Sequence, residues 1–221
     1  MANALDAGRV DDAAAVFDVA ARGAAAAGAD RLVLSVEPAT GRHADLADRL
    51  GLRLDREVLQ LRGRLPADDR PTITVRPFVP GADDEAWLET NNRAFTWHPD
   101  QGGWTLADLA RTMAEPWFDP AGFLVHERDG RLAGFCWTKV HRDSAPPLGE
   151  IFVIAVDPDF HGEGLGRELT LAGLDWLADR GLTGSMLYVE ADNAPAGSLY
   201  RDLGFTPHHA KRWWVRNLSV A

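Results

Sequence analysis

Cysteine is almost missing from this 221-residue chain: Cys136 stands alone, so no intrachain disulfide framework can brace the fold. Runs of lysine or arginine are missing as well, and the formal net charge is −10. Nucleic acid is therefore not an expected partner, because neutralising phosphates needs a basic surface. No apolar stretch approaches the length of a membrane span, so no membrane partner is expected. The opening residues, MANALDAGRVDDAAAVFDVA, carry early acids instead of a basic-then-apolar leader. The expectation is a cytoplasmic protein in a reducing compartment. No metal site is expected: His208 and His209 are adjacent, and neighbours in a strand point to opposite faces. Trp213 and Trp214 alternate in the same way and read as packing residues.

What is present is the composition of a globular protein, 46% hydrophobic and 25% charged. The stretch LPADDRPT, Leu65–Thr72, is a proline- and charge-rich break between a short N-terminal piece and a longer one of ordinary domain size. After it, TITVRPF alternates like a strand, DDEAWLETNNRAF reads as a helix, and TLADLARTMAEPWF as a second helix starting at a Thr cap. GFLVHERDGRLAGFCWTKVH is two strands joined at Arg128-Asp129-Gly130. GEIFVIAVDP is nearly all apolar, as in a strand buried on both faces. A glycine loop and helix follow, then SMLYVEAD as strand, APAGSLYRDLG as helix and KRWWVRNL as a last strand. The predicted order, β-α-α-β-β-β-α-β-α-β, gives an α/β (α+β) mixed sheet with helices on both faces.

An internal repeat underlies this order. Residues 24–65 align without gaps on 177–218, placing Leu34 on Leu187, Val36 on Val189, Glu37 on Glu190, Leu50 on Leu203 and Gly51 on Gly204. The N-terminal piece thus reads as the back half of a second copy of the main domain.

The loop HGEGLG puts Gly162, Gly164 and Gly166 between a strand end and a helix. A helix N-terminus has four unpaired N–H groups and the positive end of the dipole. Glycines let an anion approach that backbone closely. The helix behind them sets Leu165, Leu169, Ala172 and Trp176 on one face for docking. No Gly-Lys-Ser/Thr occurs, which excludes a P-loop, and the G-x-G-x-G spacing departs from the dinucleotide fingerprint G-x-G-x-x-G. Taken alone, the loop fits either an acyl-CoA cradle or a plain strand–helix turn.

Its surroundings are more specific. The acyl-CoA loop of the GNAT acetyltransferases is written Gln/Arg-x-x-Gly-x-Gly/Ala, and HGEGLG fits with His161 at the first position. LGEIFVIAVDP, the loop and MLYVEADNAPAGSLYRDLGF follow in the order of a GNAT core. With NNRAFTWHPDQGGW, FCWTKVH and LYVEADN added, nearly the whole chain resembles the mycothiol synthases. These are tandem GNAT enzymes that acetylate the cysteine amine of a cysteinyl-glucosaminyl-inositol precursor. The resemblance implies a GNAT acyl-CoA N-acyltransferase fold preceded by half of a second GNAT-like domain, N-terminally truncated. Residues 1–65 are then the partial domain, 66–72 a linker and 73–221 the complete catalytic domain. It implies acetyl-CoA as co-substrate, no metal, a small-molecule thiol-amine substrate and a monomer.

The same resemblance assigns roles. Glu150 takes the ammonium proton of the incoming amine, and Tyr200 protonates the departing thiolate. Ile154, Ala155 and Val156 supply an N–H to the acetyl oxygen where the strand splays from its neighbour. His161, Gly162, Glu163, Gly164, Leu165, Gly166 and Arg167 hold the pyrophosphate. Asn193, Ala194, Pro195, Ala196, Gly197 and Ser198 flank the pantetheine arm. Asp100, Lys139, Glu150 and Tyr188 contact the substrate, Asp100 standing where glutamate is typical. Ala47 occupies the place of Tyr200 in the repeat, as fits a copy without catalysis. Three other readings compete: a GNAT enzyme acting on other amines, a non-catalytic CoA-binding relic, and a gene that starts upstream of Met1.

Overall fold

The computed structural model describes residues 7–98 and 100–218; the opening MANALD, Pro99 of the HPDQ loop and residues 219–221 lie outside the described residues. The elements in chain order are α1 (Ala7–Ala26), β1 (Arg31–Ala39), α2 (Gly41–Arg49), β2 (Arg53–Arg64), β3 (Arg76–Pro77), α3 (Asp84–Ala94), α4 (Leu106–Met113), β4 (Phe123–Arg128), β5 (Arg131–His141), β6 (Leu148–Val156), α5 (Leu165–Ala178), β7 (Gly184–Glu190), α6 (Ala194–Asp202) and β8 (Thr206–Asn217). From β3 onward this is the predicted order.

Contacts divide the chain into two compact units. One comprises the described residues up to Gln60 with Val189–Ala194 and the residues from Pro207 on; the other comprises Leu61–Tyr188 and Pro195–Thr206. This division in space cuts across the linear one, which describes the repeat.

In the first unit β1 runs antiparallel to β8, from Arg31↔Asn217 to Ala39↔Ala210. Its small core gathers Ala47, Leu50, Leu52 and Trp214, with Phe17, Leu34 and Val36 packed against it. The repeat is visible in the elements: α2 aligns end to end on α6, and β2 on β8. Gly51 and Gly204, aligned with each other, both take positive φ, 64° and 82°.

The second unit orders its strands β7-β6-β5-β4-β3. The β6–β7 pair is parallel and the others antiparallel, so the sheet is mixed. Odd-numbered residues of β5 face α3: Phe135 and Trp137 join Trp87, Phe123 and Leu109 in an aromatic core. Trp137 stacks on Phe123 at 4.3 Å between centroids and meets Trp87 edge-on. Even-numbered residues face α5. Its Gly173 lies so close to β5 and β6 that a Cβ there would stand 2.5 Å from Cys136 Sγ and 2.7 Å from Ile151 Cδ1.

Local chemistry explains the ends of the helices. Thr105 caps α4, accepting from the Asp108 N–H while the Asp108 carboxylate accepts from the Thr105 N–H, a capping box. The β4–β5 turn carries Asp129 and Gly130 at φ 53° and 73°, the left-handed pair of a tight hairpin. TITVRPF is a correction: only Arg76–Pro77 pairs with β4. Ile73 packs instead into the cluster of Ala133, Phe160 and Leu165, and Pro77 has no N–H to extend a ladder.

The segment read as a linker lies along α5. The Thr72 N–H and hydroxyl donate to Glu168 at 2.5 and 3.0 Å, Asp69 pairs with Arg167, and Arg70 pairs with Asp175.

Candidate active site

Strand periodicity brings separated residues into one row. Lys139 on β5 is the direct cross-strand partner of Glu150 on β6, and Glu150 pairs in turn with Met186 on β7. Paired residues share a face, and so do residues two apart, so Lys139, His141, Glu150 and Tyr188 lie on one side of the sheet. Glu150 is buried, with 6% of its surface exposed, and Tyr188 is 40% exposed. A carboxylate so enclosed needs a partner, and His141 Nε2 lies 2.6 Å from Glu150 Oε2. The Lys139 ammonium sits 4.6 Å from the ring centroid of Trp117 and 5.6 Å from that of Phe152, in cation–π contact with both. Asp100 lies exposed in the connection between α3 and α4. Its N–H donates to His98 Nδ1, and its carbonyl accepts from Trp104 Nε1. Trp104 packs on Trp87, so this connection covers the face that carries the row.

The sheet is irregular just beyond Glu150. The β5–β6 register jumps from Thr138↔Ile151 to Trp137↔Val153, leaving Phe152 as an extra residue. Such a bulge bends the strand and increases its twist. The parallel register with β7 ends at the same place: it runs from Gly149↔Ser185 to Ile151↔Leu187, and Phe152 has no partner at Tyr188. Within this unit Ile154, Ala155 and Val156 are laddered to β5 alone.

Tyr200 approaches from the other side. Helix α6 packs beside the start of α5, Leu199 lying 3.8 Å from where a Cβ on Gly166 would stand. The Tyr200 ring is buried against Phe205. Its hydroxyl bonds no described residue, yet it is not among the polar atoms sealed from solvent. Burial pushes its pKa well above the usual phenol range, with the nearby Cys136 thiol adding to the shift. The phenol therefore stays protonated and has a proton to donate.

The glycine loop follows β6. Its base is anchored by Asp157, buried at the strand end. The Asp157 carboxylate lies 3.0 Å from Arg93 Nε and accepts from the Asp159 N–H, while its own N–H donates to the Ala133 carbonyl. His161 turns back, its Nε2 3.0 Å from the Val156 carbonyl oxygen. Gly162 and Gly164 take φ of 83° and 79°, which a side chain rarely adopts, and nothing lies within 4 Å of where their Cβ atoms would be. Gly164 caps α5 in the left-handed conformation without a side-chain cap. Among the described residues the N–H groups of 162–166 donate to no protein acceptor, whereas that of Arg167 returns to the Gly164 carbonyl. Glu163 is paired with Arg128, and Arg167 with Asp69. Bare amides, open space and a helix start fit a pyrophosphate. Among the described residues no group of His, Cys, Asp and Glu could hold a metal ion.

Pro195–Ser198 form the first turn of α6 with Ala194, and Asn193 precedes it, its N–H donating to the Glu190 carbonyl. Sequence reasoning overlooked His141, the aromatic pair around Lys139 and the bulge at Phe152. His141 had a signal: two residues beyond Lys139, it must share that residue's face.

Residues 85–205 match the model of the acetyltransferase (GNAT) family. The mycothiol acetyltransferase of Thermomonospora curvata is 54% identical over 169 residues, covering 74% of this chain and 56% of the relative. That of Streptomyces coelicolor is 52% identical over 169 residues, covering 74% and 54%. The chain thus spans little more than half the length of these curated relatives. Among solved structures, a GCN5-related N-acetyltransferase from Sphaerobacter thermophilus aligns with a TM-score of 0.69 at 23% identity, over 86% of this chain and 61% of its own. A tandem GNAT protein of the clavulanic acid pathway aligns at 0.64 and 17%, over 94% and 70%. These structures share the fold, with its mixed sheet and helices on both faces. The family match covers β4 to β7, the glycine loop and both candidate catalytic residues, and by it the chain belongs to the GNAT family of acetyltransferases.

Proposed function

We propose that this chain is an acetyl-CoA-dependent N-acetyltransferase that acetylates the cysteine amine of the desacetyl precursor of mycothiol. What supports this reading most is that Glu150 and Tyr200 lie on opposite faces of the sheet, beside the point where β6 leaves the register of β7. One thioester can meet both groups only through such a parting. The relatives' name and the family match point the same way.

Acetyl-CoA supplies the acetyl group as a thioester. The N–H groups of 162–166 hold its pyrophosphate, and Asn193–Ser198 flank the pantetheine arm. A backbone N–H of Ile154–Val156, without a partner on the β7 side, donates to the acetyl oxygen as negative charge develops there. Glu150 accepts the proton of the incoming ammonium, directly or through water; an α-amino group has a pKa near 8, so this transfer is easy. Tyr200 faces the departing sulfur. A thiol's pKa is about 8.5, so outright transfer from a buried phenol is uphill, and Tyr200 acts by donating a hydrogen bond as the C–S bond breaks. Lys139, Tyr188 and Asp100 contact the sugar-bearing substrate. Residues 73–221 form the catalytic domain, residues 1–65 a half domain without a glycine loop, and 66–72 the linker between them. The protein acts as a monomer in the cytoplasm.

The test is release of free CoA from acetyl-CoA and the desacetyl thiol by the purified chain. Glu150→Gln is expected to lower kcat/KM for the amine by about 10²- to 10⁴-fold, the usual worth of a general base. Tyr200→Phe lowers kcat with little change in the KM of acetyl-CoA. Variants as active as the parent remove these roles; equal turnover of a free peptide amine removes the substrate assignment.

A further inference from the structure

We propose that His141 positions the Glu150 carboxylate; this rests on the reading of Glu150 as the base. Glu150 has two oxygens, and His141 Nε2 engages one of them, Oε2, at 2.6 Å. That contact fixes the carboxylate's rotation and leaves Oε1 for the amine. A bond between groups held on adjacent strands is stiffer than one to water, as positioning demands.

Exposure differs between the two groups. The Glu150 side chain is 8% exposed and that of His141 24%. His141 Nδ1 bonds no described residue and is not among the sealed atoms. The imidazole therefore links a buried carboxylate to water. A carboxylate only accepts, so Nε2 carries the ring's proton and donates it to Oε2, while Nδ1 turns its lone pair to water.

Other charged or titratable groups belong to this face. Lys139 stands opposite Glu150, its ammonium over Trp117 and Phe152. Tyr188 follows on β7, and His98 and Asp100 sit in the connection above. Arg142, next to His141, has opposite strand parity. Among the described residues Lys139 makes no ion pair, so His141 is the group bonded to Glu150.

The experiment measures kcat/KM for the amine against pH in the full chain, for the parent, H141A, H141Q, E150Q and H141A/E150Q, with circular dichroism melts as a folding control. H141A is expected to lose about tenfold or more at the plateau, less than E150Q, with the KM of acetyl-CoA unchanged. H141Q, whose side-chain amide keeps an N–H for Oε2, recovers much of the plateau. The double variant is no worse than E150Q alone, since His141 acts through Glu150. Parental rates and limbs in H141A beside an impaired E150Q overturn this inference and leave the proposed function standing. A parent chain that releases no CoA with the amine overturns both.

Discussion

Replacing Gly173 by alanine sets two rules against each other. Helix propensity alone predicts stabilisation, because alanine in a helix interior is better than glycine by about 1 kcal/mol. Packing predicts the reverse. The added Cβ would stand 2.5 Å from Cys136 Sγ and 2.7 Å from Ile151 Cδ1, closer than such atoms approach, with Thr138 Cγ2 at 3.4 Å. Cys136 and Ile151 are both buried on central strands and have little room to yield. Overpacking of a core costs about 1–3 kcal/mol, so after the propensity gain a net loss of up to about 2 kcal/mol is expected. For a chain of this size that lowers the melting temperature by up to about 8 °C. Since Leu165, at the other end of α5, begins at the glycine loop, displacement of the helix should also raise the KM of acetyl-CoA. Melting followed by circular dichroism, with kinetics on the same samples, checks both. Adding Cys136→Ala removes the closest atom, so the double variant should be more stable than the sum of the single changes, by about 1 kcal/mol. A melting temperature that rises in Gly173→Ala would refute the packing argument outright.

Gly164→Ala should separate strain from steric fit. Nothing occupies the space its Cβ would enter, but φ of 79° costs an L-residue about 1–2 kcal/mol, so acetyl-CoA should bind about tenfold more weakly by calorimetry; unchanged affinity and melting would sink the cradle. Alkaline pH should destabilise the fold. Burial raises the titration of both Cys136 and Tyr200, so above about pH 9 the unfolded chain loses protons that the native chain keeps, and stability falls as pH rises. Melts from pH 7 to 11 should show this fall, made shallower by Cys136→Ser or Tyr200→Phe; an identical profile in both variants contradicts it.

Much of the protein was legible in local pattern. Alternation and turn chemistry placed β4, β5 and their tight turn, a Thr cap placed α4, and glycine spacing placed the loop before α5. The ungapped repeat anticipated α2 and β2 as copies of α6 and β8. Each of these depends on neighbours along the chain. TITVRPF failed because alternation gives strand propensity and not a partner, and Ile73 found a core instead.

The site divided along the same line. The kinds of residue at 139, 150, 188 and 200, and the bare loop at 162–166, came from the sequence and its family resemblance, because chemistry is written in residue type and spacing. Tertiary structure alone decided the bulge at Phe152, the end of the β6–β7 register, the opposite faces of Glu150 and Tyr200, and the bond between His141 and Glu150. Those depend on how strands distant in the chain pair, and one extra residue in a strand changes the pairing while leaving hardly a trace in composition or period.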